Sequence, residues 1–464
     1  MRHRLASTVL FTLMATCATP AVCLPAVPDH FREADAETSV PLPSADHWWA
    51  IFQDAELDRL IAAAHASNPS LDQSLARVAQ ARARSRSSDA ARLPQITAGA
   101  SGSRQTGPLI NAAGGGGELY TASASLSYEV DLFGRLAKAG KAARRELEAS
   151  ESAHAAARLM VESEVARSYL RIRLLDDEEA LLLRAADGYA RTLALAESNL
   201  AAGLVPAMQV DLIRTEAADW RNALLSVQRE RAEQEHALAA LVGDNASTFR
   251  LDKDIAPTAI PVVPAGLPSA MLQRRPDIHA AEATMEAARL RVGVAKASWF
   301  PSFALTGSEG YASPSFGDLF RSVAQTGGIS LLAMLPIFDG GRQKARVKGA
   351  EADYQLAAAS WRETVLQSFR EVEDRLVALH TLADQARETD TAATAATRAA
   401  DRASQMQAAG LISVLDRLET ERRAISEARA QLHLRAARYD ATIGLVRALG
   451  GGWDGNGSKV AMEP

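Results

Sequence analysis

The chain has 464 residues and a formal net charge of −5, with 47% hydrophobic, 5% aromatic and 23% charged residues. An alanine-rich, charged sequence with so few aromatic residues favours long helices over a compact enzyme fold. Basic residues alternate with acidic ones instead of gathering in a block, which argues against nucleic acid as a partner.

The first 23 residues have the layout of a secretory signal peptide. Arginines precede an apolar run at 5–15, and small residues follow it. The two cysteines, Cys17 and Cys23, lie in this segment, so the rest of the chain can form no internal disulfide. Either cysteine is a candidate lipidation site, although neither follows the small residue that usually precedes a lipidated cysteine.

Residues 24–54 predict an extended N-terminal segment, and a helix is predicted from about Ala55 to Arg92. The apolar residues of this helix recur at three- and four-residue spacing. They are Leu57, Leu60, Ile61, Ala64, Leu71, Leu75 and Val78. No later segment has the ~18 to 20 uninterrupted apolar residues of a membrane helix, so we expect strands to make any membrane crossing.

Two alternating segments within 95–130 predict a β-hairpin. From Tyr120 to Val130, even-numbered positions carry tyrosine, alanine, leucine and valine, whereas odd-numbered positions carry threonine, serine and glutamate. Gln95–Gln105 alternates likewise, and a glycine-rich loop joins the two. A soluble antiparallel strand can show this pattern. It also matches a strand between lipid and a polar lumen.

A very long helix is predicted from about Leu136 to Ala202, a span of roughly 100 Å. Its apolar residues average 3.5 positions apart in a coiled-coil seam, formed by Leu182, Ala186, Tyr189, Leu193, Ala196 and Leu200. Gly203 ends the helix, and a second long helix continues to about Val242. The proline-rich residues 246–268 predict an extended connector.

The sequence then repeats itself, which indicates a tandem duplication. Landmarks recur at a separation of 207 positions: Pro69 and Pro276, Pro94 and Pro301, Arg135 and Arg342, Gly203 and Gly410, Gly243 and Gly450. The first repeat is predicted at 55–245 and the second at 269–450, with a second hairpin at 302–338. Its long helices carry an alanine seam at Ala393, Ala396, Ala400 and Ala403. Residues 451–464 form a C-terminal tail.

Four strands per chain cannot close a membrane barrel, because edge strands would leave backbone groups without partners in hydrocarbon. The subunit is therefore expected to oligomerise. Closed barrels begin at about 8 strands, so dimers, trimers and tetramers all remain open on this argument. The long helices would continue the barrel as a tube into the periplasm.

Several motifs resemble those of the outer membrane factor family, and more narrowly those of its nodulation-type lipoproteins, the outer-membrane channels of resistance-nodulation-division efflux pumps. These motifs are Trp48-Trp49 followed by AELDRLI, Asn68-Pro69, Leu93-Pro94-Gln95, YEVDLFGR at 128–135, GLPSAMLQRRPDI at 266–278, Trp299-Phe300-Pro301, PIFDGGR at 336–342 and LGGGW at 449–453. The match extends over the whole chain after the signal peptide.

The resemblance implies a mainly α fold with a pair of membrane β-hairpins. Each tandem-duplicated subunit of a homotrimer would contribute four strands to a 12-stranded β-barrel and long coiled helices to a periplasmic α-helical barrel. An equatorial belt would include residues 24–54. The implied location is the outer membrane with a periplasmic extension. The implied partners are membrane lipid, a periplasmic adaptor (membrane fusion) protein and an inner-membrane pump.

Two sets of residues are expected to close the hairpins onto the long helices. They are Asp131, Gly134 and Arg135 in the first repeat and Asp339, Gly341 and Arg342 in the second. Glycine can bend the chain from strand to helix, and a charge can lie at the membrane edge. The expected role of both corners is architectural, in preference to ligand binding.

Leu415, Glu419 and Arg422 follow the glycine at 410 and share one helical face by their spacing. An exposed Glu–Arg pair usually solvates a helix and is worth well under ~1 kcal/mol. The family resemblance implies instead that this stretch lies at the periplasmic end of the tube and keeps the entrance shut. These three residues are therefore the predicted gate.

The sequence carries no pattern for catalysis, cofactors or metals. No Gly-Lys-Ser/Thr follows the glycines at 114–117, and the nine histidines include no His-Glu-x-x-His. The carboxylates at 176–179 lie in a charge run on a long helix, where a solvated face is expected. We therefore predict a protein that is not an enzyme and binds no cofactor.

Two functions fit these patterns. The first is a passive export duct for small molecules such as drugs or toxic compounds, in a tripartite system driven by an inner-membrane pump. The second is a duct of the same architecture in a type I protein secretion system. The nodulation-type motifs favour the first. A purely structural periplasmic coiled-coil lipoprotein is a third class, which the alternating hairpins disfavour.

Overall fold

The computed structural model describes residues 28–33, 45–105, 117–254, 259–263 and 268–451. The predicted signal peptide at 1–23, with Cys17 and Cys23, lies outside the described residues. So does the C-terminal tail beyond Gly451.

A 3-10 helix at Ala45–Phe52 leads into α1 (Ala55–Ser67) and α2 (Pro69–Ala90). The prediction of a single helix here is therefore wrong, because the helix is interrupted at Asn68. The Asn68 side chain accepts hydrogen bonds from the N–H groups of Ser70 and Leu71, which caps α2, and Pro69 takes the first helical position.

The rest of the first repeat follows the predicted order. It comprises β1 (Gln95–Gln105), β2 (Gly117–Val130), α3 (Arg135–Ala201) and α4 (Ala207–Leu241). The second repeat comprises α5 (Pro268–Arg274), α6 (Pro276–Ala297), β3 (Ser302–Ser313), β4 (Gln325–Met334), α7 (Arg342–Ala408) and α8 (Val414–Ala448). Within these residues, no helix combines the length and the apolar character that a membrane crossing requires.

The duplication extends to individual contacts. Helices α3 and α7 each have 67 residues, and α4 and α8 each have 35. The Asn68 side chain donates to the Leu241 carbonyl at 2.7 Å. Arg275, 207 positions after Asn68, donates to the Ala448 carbonyl at 3.0 Å. The same junction between the start and the end of a repeat is thus built twice, with different side chains.

Close backbone approach fixes a glycine at each junction. Gly243 adopts φ +75°, and a Cβ there would lie 2.1 Å from the Ser67 carbonyl oxygen. Gly450 adopts φ +88°, and its Cβ would lie 2.5 Å from the carbonyl oxygen of Arg274. Any side chain would displace the neighbouring backbone, so both positions require glycine.

The four strands form one antiparallel sheet in the order β1-β2-β3-β4. The structure ends β4 at Met334, so the prediction of strand up to Phe338 is wrong. Pro336 has no N–H group to donate to a neighbouring strand. In the register of β3 and β4, its partner would also lie before Ser302, the first residue of β3. β1 and β4 are the sheet's edges.

The helices pack through three buried clusters. One surrounds Trp48 and Leu60 where α1, α3, α4 and α8 meet, and another follows α3, α4 and α8 through Leu182, Tyr189 and Ile213. The third lies around Phe31, between α7 and α8. The predicted seams are largely buried, except that Leu200 is exposed and Ala186, Leu193 and Ala400 are half-buried.

Candidate functional site

The two faces of the sheet differ as the alternation predicts. Hydroxyl groups pair across strands on one face, with 2.7 Å between the oxygens of Thr97 and Ser125 and 2.7 Å between those of Thr306 and Ser330. The opposite face carries Ile96, Ala98, Ala124, Leu126, Tyr128, Leu305, Tyr311 and Leu331, as the strand register shows. This second face, here called the apolar face, is the one predicted to contact lipid.

Besides Glu118 near the start of β2, a second carboxylate, Glu309, lies on the apolar face, and the sequence reasoning missed it. Glu309 is directly opposite Ala124 on β2 and Gly327 on β4. Its Oε1 accepts a 2.6 Å hydrogen bond from Gln325, and its Oε2 lies 2.3 Å from the position a Cβ would take at Gly327. The glycine therefore opens the space that the carboxylate occupies.

The first corner joins β2 to α3. Asp131 accepts hydrogen bonds from the backbone N–H groups of Leu136 at 3.1 Å and Ala137 at 2.7 Å, which satisfies the start of the helix. Gly134 adopts φ +71° and turns the chain. Arg135 reaches back to β2, where its Nη2 lies 2.6 Å from an oxygen of Glu129.

The second corner repeats the cap but not the ion pair. Asp339 accepts from the N–H groups of Gly341 at 2.9 Å and Gln343 at 2.7 Å. These backbone hydrogen bonds, that of Gln343 foremost, lower the pKa of Asp339. Gly341 adopts φ +87°. Arg342 has no counterpart of the Arg135–Glu129 ion pair, since Pro336 stands where the first repeat has Glu129, and its charge acts on Asp339 instead.

The predicted gate lies just after the start of α8. Ser413 and Asp416 cap this helix reciprocally. Two N–H groups of Arg422 donate to the two carboxylate oxygens of Glu419 at 2.9 and 2.7 Å, and both side chains are exposed. These bonds lower the pKa of Glu419 and raise that of Arg422. Leu415 is half-buried against the cluster that contains Tyr189.

The charge run at 176–179 is largely buried, so the expected solvated face is wrong. Glu178 accepts hydrogen bonds from Arg429 of α8 at 2.9 and 2.8 Å. Burial raises the pKa of Glu178, but hydrogen bonds from His433 and Arg429 outweigh that effect and keep the pKa below its usual value. Asp176 and Glu179 are buried too. The run thus joins the two repeats instead of facing water.

Asp176 belongs to a buried ionic network that binds the backbone at the beginning of the connector, residues 246–268. It lies 2.7 Å from Arg231 of α4, which also contacts Glu235 at 2.7 Å. Arg231 donates to the Leu251 carbonyl at 2.8 Å, and Glu235 accepts from the Leu251 N–H at 2.7 Å. Arg173 donates to the next carbonyl. The network therefore anchors the segment that leads out of the first repeat.

Among the residues that the structure describes, no three His, Cys, Asp or Glu side chains are arranged to hold a metal ion. The polar clusters described above are instead ion pairs and helix caps whose partners belong to the chain itself.

Comparison with known proteins matches the chain to the model of the outer membrane efflux protein family at residues 60–244 and 267–451. It is 34% identical to the outer membrane protein OprJ of Pseudomonas aeruginosa, covering 97% of this chain and 96% of that protein. It is 32% identical to the pyoverdine export outer membrane protein OpmQ of the same species, covering 90% and 89%. The structure of the outer membrane protein VceC of Vibrio cholerae superposes with a TM-score of 0.80 at 30% identity, covering 88% and 99%.

Proposed function

This chain belongs to the outer membrane efflux protein family, and we propose that it forms a passive export duct for small molecules in a tripartite efflux system. Members of the family reside in the outer membrane and extend into the periplasm through long helices. This chain has a sheet for the first part and long helices for the second. The observation that carries the proposal is the continuous passage from a two-faced sheet into helices of 67 residues.

The duct requires more than one copy. Among the described residues, strands β1 and β4 each have a partner strand on one side only, and a membrane leaves no water to satisfy the backbone groups on the other side. We propose a homotrimer with 12 strands, as the resemblance to the outer membrane factors implies. Three copies of α3, α4, α7 and α8 would then form the wall of the periplasmic tube.

The proposed partners are a periplasmic adaptor protein and an inner-membrane pump. A passive duct needs an energy source elsewhere, and no nucleotide-binding motif is present in the sequence. The name of the relative OpmQ, which refers to pyoverdine export, supports a small-molecule cargo. Selection of the cargo would belong to the pump, because a wide duct lined by small hydroxylated side chains discriminates little.

Deletion of the gene tests the proposal. We expect the deletion strain to become more sensitive to small toxic compounds, to regain resistance when the intact gene is restored, and to secrete an unchanged set of proteins. Cross-linking in the restored strain should recover a proton-coupled inner-membrane pump. Loss of a secreted protein, together with recovery of an ATP-driven transporter, would identify the chain as a protein secretion channel instead.

A further inference from the structure

We propose that three lysines on the two longest helices, Lys141, Lys344 and Lys348, bind the phosphate groups of anionic phospholipids in the periplasmic leaflet of the outer membrane. These three residues are here called the lysine collar. The inference needs only the outer-membrane location of the family, so it does not depend on the proposed export activity.

Lysine is rare in this chain and is concentrated beside the sheet. Only seven of the 51 basic residues are lysines, and five of these seven lie in the helical segments next to the strands. They are Lys138, Lys141, Lys296, Lys344 and Lys348. Lysine carries a compact ammonium group on a flexible stem, so a side chain near a membrane can extend along apolar surface and place its charge among the headgroups. The distribution therefore indicates the level at which the long helices leave the membrane.

The balance of charge changes sign along both long helices. Residues 135–150 of α3 include five basic and two acidic residues, whereas 151–201 include six basic and nine acidic ones. Residues 342–357 of α7 include four basic and two acidic residues, whereas 358–408 include six and eight. The chain as a whole has a net charge of −5. On both helices, the excess of positive charge thus lies in the part beside the sheet.

An aromatic rim lies between this positive charge and the apolar face of the sheet. Phe133 and Phe300 stack with their ring centroids 4.6 Å apart, and both are exposed, as is Trp299. Exposed aromatic rings are typical of the boundary between hydrocarbon and headgroups in membrane proteins. Lys344 and Lys141 follow about 3 and 9 Å along the axes of α7 and α3. Apolar face, aromatic rim and lysines therefore succeed one another as hydrocarbon, interface and headgroups do.

The lysine collar lies on the side of the helices that is turned away from the hydroxylated face of the sheet. Arg135 contacts Glu129 on the hydroxylated face of β2, which marks the lumen side of α3. At 3.6 residues per turn, Lys141 is about 120° around the helix from Arg135. The duplication puts Lys348 at the equivalent position of α7, and Lys344 lies one turn earlier on the same face. The three ammonium groups therefore point toward the outer surface, where lipid would lie.

The described part of the chain does not balance the charge of the lysine collar. Its three members are exposed, and none forms an ion pair with another described residue. The other two lysines at this level are engaged: Lys296 pairs with Glu351 at 2.9 Å, and Lys138 lies across Gly293. A phospholipid with a net negative charge therefore complements the collar, whereas a zwitterionic phospholipid carries a cation of its own beside the phosphate.

Quenching of Trp299 by brominated lipid tests the proposal. Gln343 donates to the Ser298 carbonyl at 3.3 Å, which places Trp299 beside the start of α7 and the collar. The full chain is reconstituted in phosphatidylethanolamine vesicles that contain a small fraction of either brominated phosphatidylglycerol or brominated phosphatidylethanolamine. We expect phosphatidylglycerol to quench more strongly, with a preference of about five-fold for each lysine that contacts a headgroup. The Trp299→Phe variant gives the background from the other tryptophans.

The collar variant removes the three positive charges and should lose this preference. It combines Lys141→Gln, Lys344→Gln and Lys348→Gln. Replacing the same lysines by arginine keeps the charge and should keep the preference.

The matched control removes three exposed cations from the same two helices, far from the membrane. It combines Arg191→Gln, Arg398→Gln and Arg402→Gln. These residues repeat the spacing of the lysine collar within and between the helices, roughly 75 Å further along. The control should bind lipid like the wild type, so any loss confined to the collar variant comes from the position of the charges.

Salt provides a test on the unaltered protein. Raising the ionic strength from 0.1 to 1 M shortens the Debye length from about 10 Å to about 3 Å, so the wild-type preference for phosphatidylglycerol should fall. No preference in the wild type, or the same preference in the wild type and the collar variant, would overturn the proposal. A collar variant that keeps the lipid preference but changes the ion selectivity of the pore in planar bilayers would place the lysines in the lumen, and that result would overturn it too.

Discussion

Two arginines on α4 show how burial changes the contribution of an ion pair to protein stability. The Arg231 side chain is 11% exposed and lies 2.7 Å from both Asp176 and Glu235. Arg229 is 66% exposed and pairs with Glu233 at the same distance. Both Arg–Glu pairs have i,i+4 spacing on one helix, but the Arg231 pair is buried and has Asp176 as a second carboxylate.

We therefore expect Arg231→Ala to destabilise the protein by about 3–5 kcal/mol, because Glu235 would remain buried without its cation and Asp176 would keep Arg173 at 3.5 Å but lose its closer partner. Arg229→Ala should cost less than about 1 kcal/mol. The loss of helical circular dichroism on heating in detergent measures both. Equal effects of the two substitutions would show that the buried network does not anchor the connector.

This network also marks a limit of sequence reasoning at the residue scale. Arg231 and Asp176 are 55 positions apart, and nothing in the charge run at 176–179 distinguishes a buried face from a solvated one. The run meets Arg429 and Lys253 from other elements, and those contacts depend on how the helices pack. Glu309 escaped notice similarly, because its glycine neighbour lies on another strand.

At the scale of the strand, the apolar face gives a test of membrane contact. Leu126 lies opposite Ile96 and Gly307, so no carboxylate is directly across from it. We expect Leu126→Arg to impair assembly, since an arginine at the bilayer midplane costs ~2 to 4 kcal/mol. Ser127→Arg, one residue along and on the hydroxylated face, should be tolerated. The yield of assembled protein in the outer membrane measures the difference.

Ala124 is a weaker probe than Leu126, although the alternation treats them alike. It lies opposite Glu309, which could pair with an introduced arginine and mask the cost. Equal assembly of Leu126→Arg and Ser127→Arg would contradict the orientation of the sheet.

Element boundaries were predictable where local chemistry sets them. Alternation gave the bounds of β1, and the glycines at 203 and 410 ended the longest helices within one or two residues. The break at Asn68 was missed because the apolar stripe of α1 and α2 continues across it. The end of β4 was misplaced because the sequence pattern continues where the strand does not. The pattern extends to Phe338, but a strand also needs a partner, and the residues that the structure describes supply none there.

At the scale of the whole molecule, duplication converts local patterns into an architecture. A fixed separation of 207 positions relates turns, strand register and helix lengths, so one half predicts these features of the other. The halves differ where their neighbours differ. Glu129 holds Arg135 at the first corner, whereas Pro336 leaves Arg342 without that partner at the second. Sequence comparison of the halves shows this difference, but only the fold shows that β4 is an edge.

The entrance of the tube depends on the whole assembly, because the equivalent tips of several copies would converge there. Glu419 and Arg422 pair along one helix, and both remain exposed in the single chain. Converging copies would crowd these pairs and strengthen them relative to open water. The structure places Leu415 half-buried against the cluster that contains Tyr189, so it would support the helix as well as narrow the opening.

We expect Glu419→Ala combined with Arg422→Ala to raise single-channel conductance in planar bilayers and to leave trimer yield unchanged, with a smaller effect from Leu415→Ser. The pKa of Glu419 is lowered by Arg422, so its stabilising contribution is complete above the ordinary carboxyl pKa and is lost as pH falls through the lowered one. Wild-type conductance should therefore rise only in strong acid. Glu419→Gln should conduct more at neutral pH and lack that acid response. If the double variant conducts like the wild type at every pH, Glu419 and Arg422 merely solvate the helix, and the entrance is closed by other residues.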